Sequence, residues 1–149
     1  MPTRTATTTW TGGLQDGTGT VKLASSGVGT YEVSFPKRAA DEAGGVTSPE
    51  ELIGAAHSAC YAMSLSNQLG QAGASNIRLD VRADVTLGAD PAGGLRIRTV
   101  KLSVRGSADG IDEAEFLKAA DEAKVGCPVS KALAGTDIQM EAQLDGASA

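Results

Sequence analysis

No formal charge interrupts residues 52–77, and this uncharged run, within SPEELIGAAHSACYAMSLSNQLGQAG at residues 48–73, limits what the rest of the chain can build around it. Ser48 suits an N-cap, Pro49 the first helical position, and Glu51 the carboxylate of a capping box. Leu52, Ala55, Ala59, Ala62, Leu65 and Leu69 recur at three- and four-residue steps, with Ile53, Ala56, Cys60 and Met63 as a second stripe beside them. Glu50, Gly54, His57, Tyr61, Ser64, Gln68 and Gln71 form a thinner polar face. The pattern predicts a long helix covered on most sides, with the apolar stripes inward. Its many small residues let a second backbone approach closely. His57, Asn67, Gln68, Gln71 and the interspersed serines are too polar for a bilayer core, so the helix is expected in a water-soluble protein.

Alternation surrounds this helix. Residues 5–11, 20–25 and 31–35 read as short strands cut by glycine, an antiparallel meander with Tyr31, Val33 and Phe35 on one face. Residues 36–47 form a loop carrying Lys37 and Arg38, a candidate functional loop. Ile77, Leu79, Val81, Ala83, Val85 and Leu87 alternate with charged residues and Thr86, the clearest strand of the chain. Leu95 and Ile97 point inward at odd positions, but Val100, Leu102 and Val104 at even ones, which predicts a β-bulge near Arg98 and Thr99. Asp112 and Glu115 open a second helix with a capping box, running to about Lys124. Pro128 begins a short helical turn. A last strand carries Ile138, Met140, Ala142 and Leu144, and the final few residues are expected to be disordered. Without regular strand–helix alternation, the fold class is α+β: antiparallel sheets around a long central helix, plus a second helix.

The 149 residues suit a single domain. Aromatics make up only 3% of them, so part of the burial is expected against a second subunit. A net charge of −5 argues against nucleic acid or anionic membrane as partner. MPTRTATTTW holds no apolar run, so no signal peptide is expected, and the reducing cytoplasm is the expected compartment. The two cysteines there are free or redox-active rather than a fixed bridge. Cys60 reads equally as a small hydrophobe in an alanine-rich core or as a reactive thiol. Cys127, between Gly126 and Pro128, falls at a helix start, where the dipole lowers a thiol pKa. His57 lies one turn before Cys60. A Cys–His hydrolase dyad, or a metal site with Cys127, is conceivable, but three residues of spacing is no hydrolase signature and three soft ligands lack a fourth. His57 is therefore read as structural. No phosphate loop or dinucleotide fingerprint is present, and no cofactor or metal is expected.

The central segment, together with GCPVSKAL at residues 126–133, resembles the OsmC branch of the OsmC/Ohr hydroperoxide reductases. The resemblance runs from the GTGT entry at residues 17–20 through RADVTL to the last strand. It implies a single OsmC-like peroxidase domain over residues 1–149, catalysing thiol-dependent reduction of organic hydroperoxides, and hydrogen peroxide more weakly, in stress defence. In such proteins the cysteine of the AC motif, here Cys60, attacks the peroxide. The cysteine of the CPVS motif, here Cys127, resolves the product as a disulfide, which a lipoyl-type dithiol then reduces. The first glutamate of PEEL, Glu50, pairs with an arginine that activates the thiolate. Arg38 is the candidate from the loop before the central helix. As a loop residue it is expected to govern rate rather than folding. Leu, Met and Tyr side chains around Cys60 are expected to favour organic peroxides. Glu50 and Cys60, ten residues apart on one helix, are separated by about 15 Å and some 80° of azimuth. A site containing both therefore implies an intertwined homodimer with active sites at the subunit interface. A non-catalytic dimeric binding protein is the alternative outside enzymology.

Overall fold

The computed structural model describes residues 1–146; the expected disorder of the last few residues falls largely outside that range. The described residues form two compact units, one of residues 1–52 and one beginning at residue 53.

The first unit contains the expected meander. Strands β1 (Thr7–Thr11), β2 (Thr18–Lys22) and β3 (Thr30–Val33) pair antiparallel in the order β1-β2-β3. Trp10 sits directly opposite Gly19. A Cβ at Gly17 or Gly19 would lie 2.8 Å from the Trp10 ring in either case, so the GTGT segment is what lets the indole lie flat on β2. The strand phase expected to reach Phe35 ends at Val33. Ser34 Oγ instead accepts from the Lys37 N–H and, with Pro36, starts the four-residue helix α1 (Phe35–Arg38).

Helix α2 (Pro49–Gln71) begins where the sequence places it. Ser48 Oγ accepts from the Glu51 N–H at 3.1 Å, but the Glu51 carboxylate accepts from the Thr47 hydroxyl rather than closing the capping box.

The second unit is a sheet of order β4-β5-β6, built from β4 (Ser75–Ala89), β5 (Leu95–Asp109) and β6 (Asp137–Leu144). The bulge stands where the phase change predicts it: Thr86 pairs Thr99 and Leu87 pairs Ile97, so Arg98 is the extra residue. The expectation of wholly antiparallel sheet fails at β6, which runs parallel to β5. Helix α3 (Glu113–Gly126), with its capping box at Asp112 and Glu115, and the short α4 (Pro128–Ala132) form the crossover that a parallel pairing requires. One face of this sheet carries Ile77, Leu79, Val81, Val100, Leu102, Val104, Met140 and Ala142. It is covered by Tyr61, Leu65 and Leu69 of α2 and Phe116, Ala119, Ala120 and Ala123 of α3.

The inward face of α2 combines part of the first apolar stripe with members of the polar face. Gly54, His57, Tyr61, Leu65 and Leu69 are buried, while Ala55, Ala56, Ala59 and Met63 are exposed, Met63 to 72%. Gly54 permits the close packing, since a Cβ there would meet the Ala83 carbonyl oxygen at 3.2 Å. Cys60 lies at the border between the buried and the open faces. No helix of the described residues is long and apolar enough to cross a membrane.

Candidate active site

Two of the four candidate residues meet in the first unit. Arg38 ends α1, and Glu50 stands in the first turn of α2. Arg38 Nε donates to the two Glu50 carboxylate oxygens at 3.0 and 3.2 Å, and Nη2 donates to Oε1 at 2.7 Å. This forked geometry is one that only a guanidinium provides. Glu50 is buried at 8% exposure, and the Arg38 side chain retains 30%. With Nε and Nη2 committed to Glu50, Nη1 has no hydrogen-bond partner among the described residues. Beyond the rate role expected of it, Arg38 neutralises a buried carboxylate, so its loss is expected to cost stability as well. Beside it lies a cavity of about 260 Å³ bordered by Trp10, Leu14, Val33, Ser34, Phe35 and Pro49. Its walls are mostly apolar.

The other two meet in the second unit. Cys60 on α2 is partly exposed, and Cys127, between α3 and α4, is fully buried; both are free thiols. Cys60 packs against the core cluster that includes Cys127, and each thiol shifts the ionisation of the other. Burial pushes the Cys127 thiol up, but the Cys60 thiol, the N–H and hydroxyl of Ser130, and the Val129 N–H outweigh it and hold its pKa below the ordinary value. The Cys127 side chain closes no capping hydrogen bond at the start of α4. Cys60 shifts the other way. Burial comes first, and its role as donor to Cys127 adds to it, with partial offset from the Val129 N–H and the Ser64 hydroxyl. Within one chain these shifts favour ionisation of Cys127 over Cys60, and Cys60 is the more accessible sulfur.

His57 takes no part in a dyad with Cys60. It is fully buried, and its Nε2 lies 2.8 Å from Ser130 Oγ. Burial lowers its pKa, so it is neutral near pH 7. Among the described residues no cluster of His, Cys, Asp and Glu could hold a metal ion. Tyr61 does not line the surroundings of Cys60 as expected; it is a core residue whose hydroxyl donates to the Ala120 carbonyl and meets Met140 Sδ, both at 3.0 Å. Burial, followed by the charges of Asp121 and Cys127, pushes its pKa far up. Ser130 was not singled out by sequence reasoning, although its place three residues after Cys127 put it one helical turn from the sulfur.

A family model described as OsmC-like protein matches residues 42–142. The chain belongs to that family. It is 40% identical over 135 residues to Peroxiredoxin OsmC of Escherichia coli (strain K12), covering 91% of this chain and 92% of the relative. Among solved structures, the organic hydroperoxide resistance protein OhrB of Bacillus subtilis superposes with a TM-score of 0.69 at 25% identity, over 93% of this chain and 98% of that one. An organic hydroperoxide resistance protein from Elizabethkingia anophelis gives 0.73 at 26% identity, over 97% and 98%. In this OsmC-like chain, AHSAC and GCPVS are the segments that bring the two thiols together.

Proposed function

We propose that this OsmC-like protein is a cysteine-based peroxidase that reduces organic hydroperoxides to alcohols through a Cys60–Cys127 disulfide. The carrying observation is the partly exposed Cys60 packed against the core cluster that contains the fully buried Cys127. Peroxide reaches the first and not the second. The Cys60 thiolate attacks the distal peroxide oxygen; the O–O bond breaks, and the alkoxide leaves with a proton as ROH. Cys127 then attacks the sulfenic sulfur, forming S–S as the S–O bond breaks and water departs. A lipoyl-type dithiol reduces the disulfide by exchange.

The first step needs the negative charge on Cys60, whereas a single chain favours Cys127. A cation beside Cys60 reverses that preference. Arg38, oriented by Glu50 and with Nη1 uncommitted, is suited to the task and to stabilising the departing oxygen. Glu50 and Cys60 are ten residues apart on one helix, about 15 Å along its axis. The Arg38–Glu50 pair of one chain therefore serves Cys60 of its partner in a homodimer, and residues 1–149 act as a single domain within it. The exposed alanine stripe on α2 supports the same assembly. The cavity beside Arg38 suits the alkyl group of the substrate, which favours organic hydroperoxides over hydrogen peroxide. Reduced thiols fit a cytoplasmic setting.

Peroxide consumption tests this reading, with dithiothreitol or dihydrolipoamide as reductant. Cumene hydroperoxide and a fatty-acid hydroperoxide should be consumed faster than hydrogen peroxide, and Cys60→Ser should consume none. No turnover of any peroxide with either dithiol would overturn it.

A further inference from the structure

The buried pair His57 and Ser130 has no place in the mechanism above, yet Ser130 stands in the short helix that opens at the resolving Cys127. His57 comes from α2 and Ser130 from α4, 73 residues apart, at 0% and 6% exposure. Two polar side chains buried against each other in an alanine- and leucine-rich core cost more than two apolar ones would, unless their hydrogen bonds serve something else.

The remaining ring nitrogen fixes the direction of these bonds. His57 Nδ1 is buried and has no hydrogen-bond partner among the described residues. A bare imidazole lone pair tolerates that better than a buried N–H does, because orphaned donors are the rarer case. The proton therefore sits on Nε2, and His57 donates to Ser130 Oγ. The Ser130 hydroxyl hydrogen is then free to point elsewhere, and Ser130 occupies the turn that begins at Cys127.

We propose that His57 and Ser130 are positioning residues for resolution, in which His57 Nε2–H donates to Ser130 Oγ and Ser130 O–H donates to the Cys127 sulfur. The pair holds Cys127 as an oriented nucleophile for the Cys60 sulfenic acid, and no net proton moves along it. The depressed Cys127 pKa, to which the Ser130 hydroxyl contributes, agrees with this direction. Besides His57, which acts through Ser130, Cys60 and Tyr61 of α2 are titratable groups among the described residues that couple to this sulfur. Cys60 donates to Cys127 only until it is oxidised, and the Tyr61 hydroxyl is committed to the Ala120 carbonyl and Met140. During resolution Ser130 is thus the side-chain donor that persists.

The inference rests on the disulfide reading above, and the experiment separates the two. Wild type, Ser130→Ala, Ser130→Thr, His57→Leu and His57→Gln are each mixed with one equivalent of cumene hydroperoxide. Samples are quenched by alkylation and weighed intact across pH 5–9. Losing one hydrogen bond to the thiolate should raise the Cys127 pKa by about one unit. Tenfold less thiolate, partly offset by its greater nucleophilicity, slows disulfide formation about three- to fourfold at neutral pH. In Ser130→Ala and His57→Leu the pH profile of that step should move up by about one unit, with Cys60 sulfenic acid accumulating and its formation not slowed. Ser130→Thr and His57→Gln, which keep an O–H and an N–H donor, should keep the wild-type profile. Melting curves confirm that each variant is folded, and Ser130→Ala, lacking a single oxygen, stands in should His57→Leu not fold. A wild-type profile in Ser130→Ala overturns the inference. A wild type that forms no disulfide overturns the underlying mechanism instead.

Discussion

Replacing Arg38 by alanine removes three hydrogen bonds from Glu50 and leaves a carboxylate of 8% exposure without its cation. Breaking a fully buried ion pair costs about 3–5 kcal/mol. Here the Arg38 side chain keeps 30% exposure, so water can enter the vacated volume and reach the carboxylate, and about 2–3 kcal/mol is the appropriate figure. At roughly 2–4 °C per kcal/mol for a chain of this size, Arg38→Ala should melt about 5–10 °C below wild type. Glu50→Gln leaves a neutral acceptor for the guanidinium and should cost only about 1 kcal/mol. The double variant no longer buries an unpaired charge, so it should be more stable than Arg38→Ala alone, with a coupling of about 1–2 kcal/mol across the cycle. Thermal and urea unfolding of the four proteins at pH 7 measure this directly. An Arg38→Ala melting temperature within a degree of wild type, or strictly additive single effects, would refute the buried-pair account. Arg38 would then be a rate residue only.

Two further outcomes follow from the same geometry. His57 is the sole histidine, and burial lowers its pKa. As pH falls below about 6.5 the unfolded chain takes up a proton that the folded one resists, so stability drops by up to about 1.4 kcal/mol per pH unit until the folded pKa is reached; His57→Gln should flatten that part of the curve. If the site is shared between subunits as proposed, a Cys60→Ser chain co-refolded with a Glu50→Ala chain should recover about half the wild-type activity per hybrid dimer, and verified hybrids without activity would place both groups in one subunit.

The sequence made the elements of this fold legible where a local pattern has one structural solution. Strict alternation over residues 77–87 could only be a half-buried strand. The shift of phase between Ile97 and Val100 located the extra residue at Arg98, and Asp112 with Glu115 marked the start of α3. Two features escaped. Alternation says which face of β6 is buried but nothing of strand direction, so the parallel pairing with β5 was not visible. On α2 the burial of Leu65 and Leu69 was legible, but that of its polar members was not, because each finds a partner far away in sequence. Glu50 meets Arg38, His57 meets Ser130, and Tyr61 meets the Ala120 carbonyl. Side chains satisfied in this way are buried as readily as leucine, while alanine fits an open face as well as a core. The reactive residues were legible mainly through the OsmC-like motifs; spacing alone left Cys60 as plausible a core residue as a nucleophile.

The central claim is that Cys60 and Cys127 form one redox pair, and the thiol count after a single oxidation tests it most directly. Reduced protein is treated with one equivalent of cumene hydroperoxide, alkylated, and analysed by intact mass and peptide mapping. The account predicts loss of both free thiols and a Cys60–Cys127 disulfide within one chain. A product dominated by Cys60 sulfonic acid, with Cys127 still alkylated as a free thiol, would contradict it.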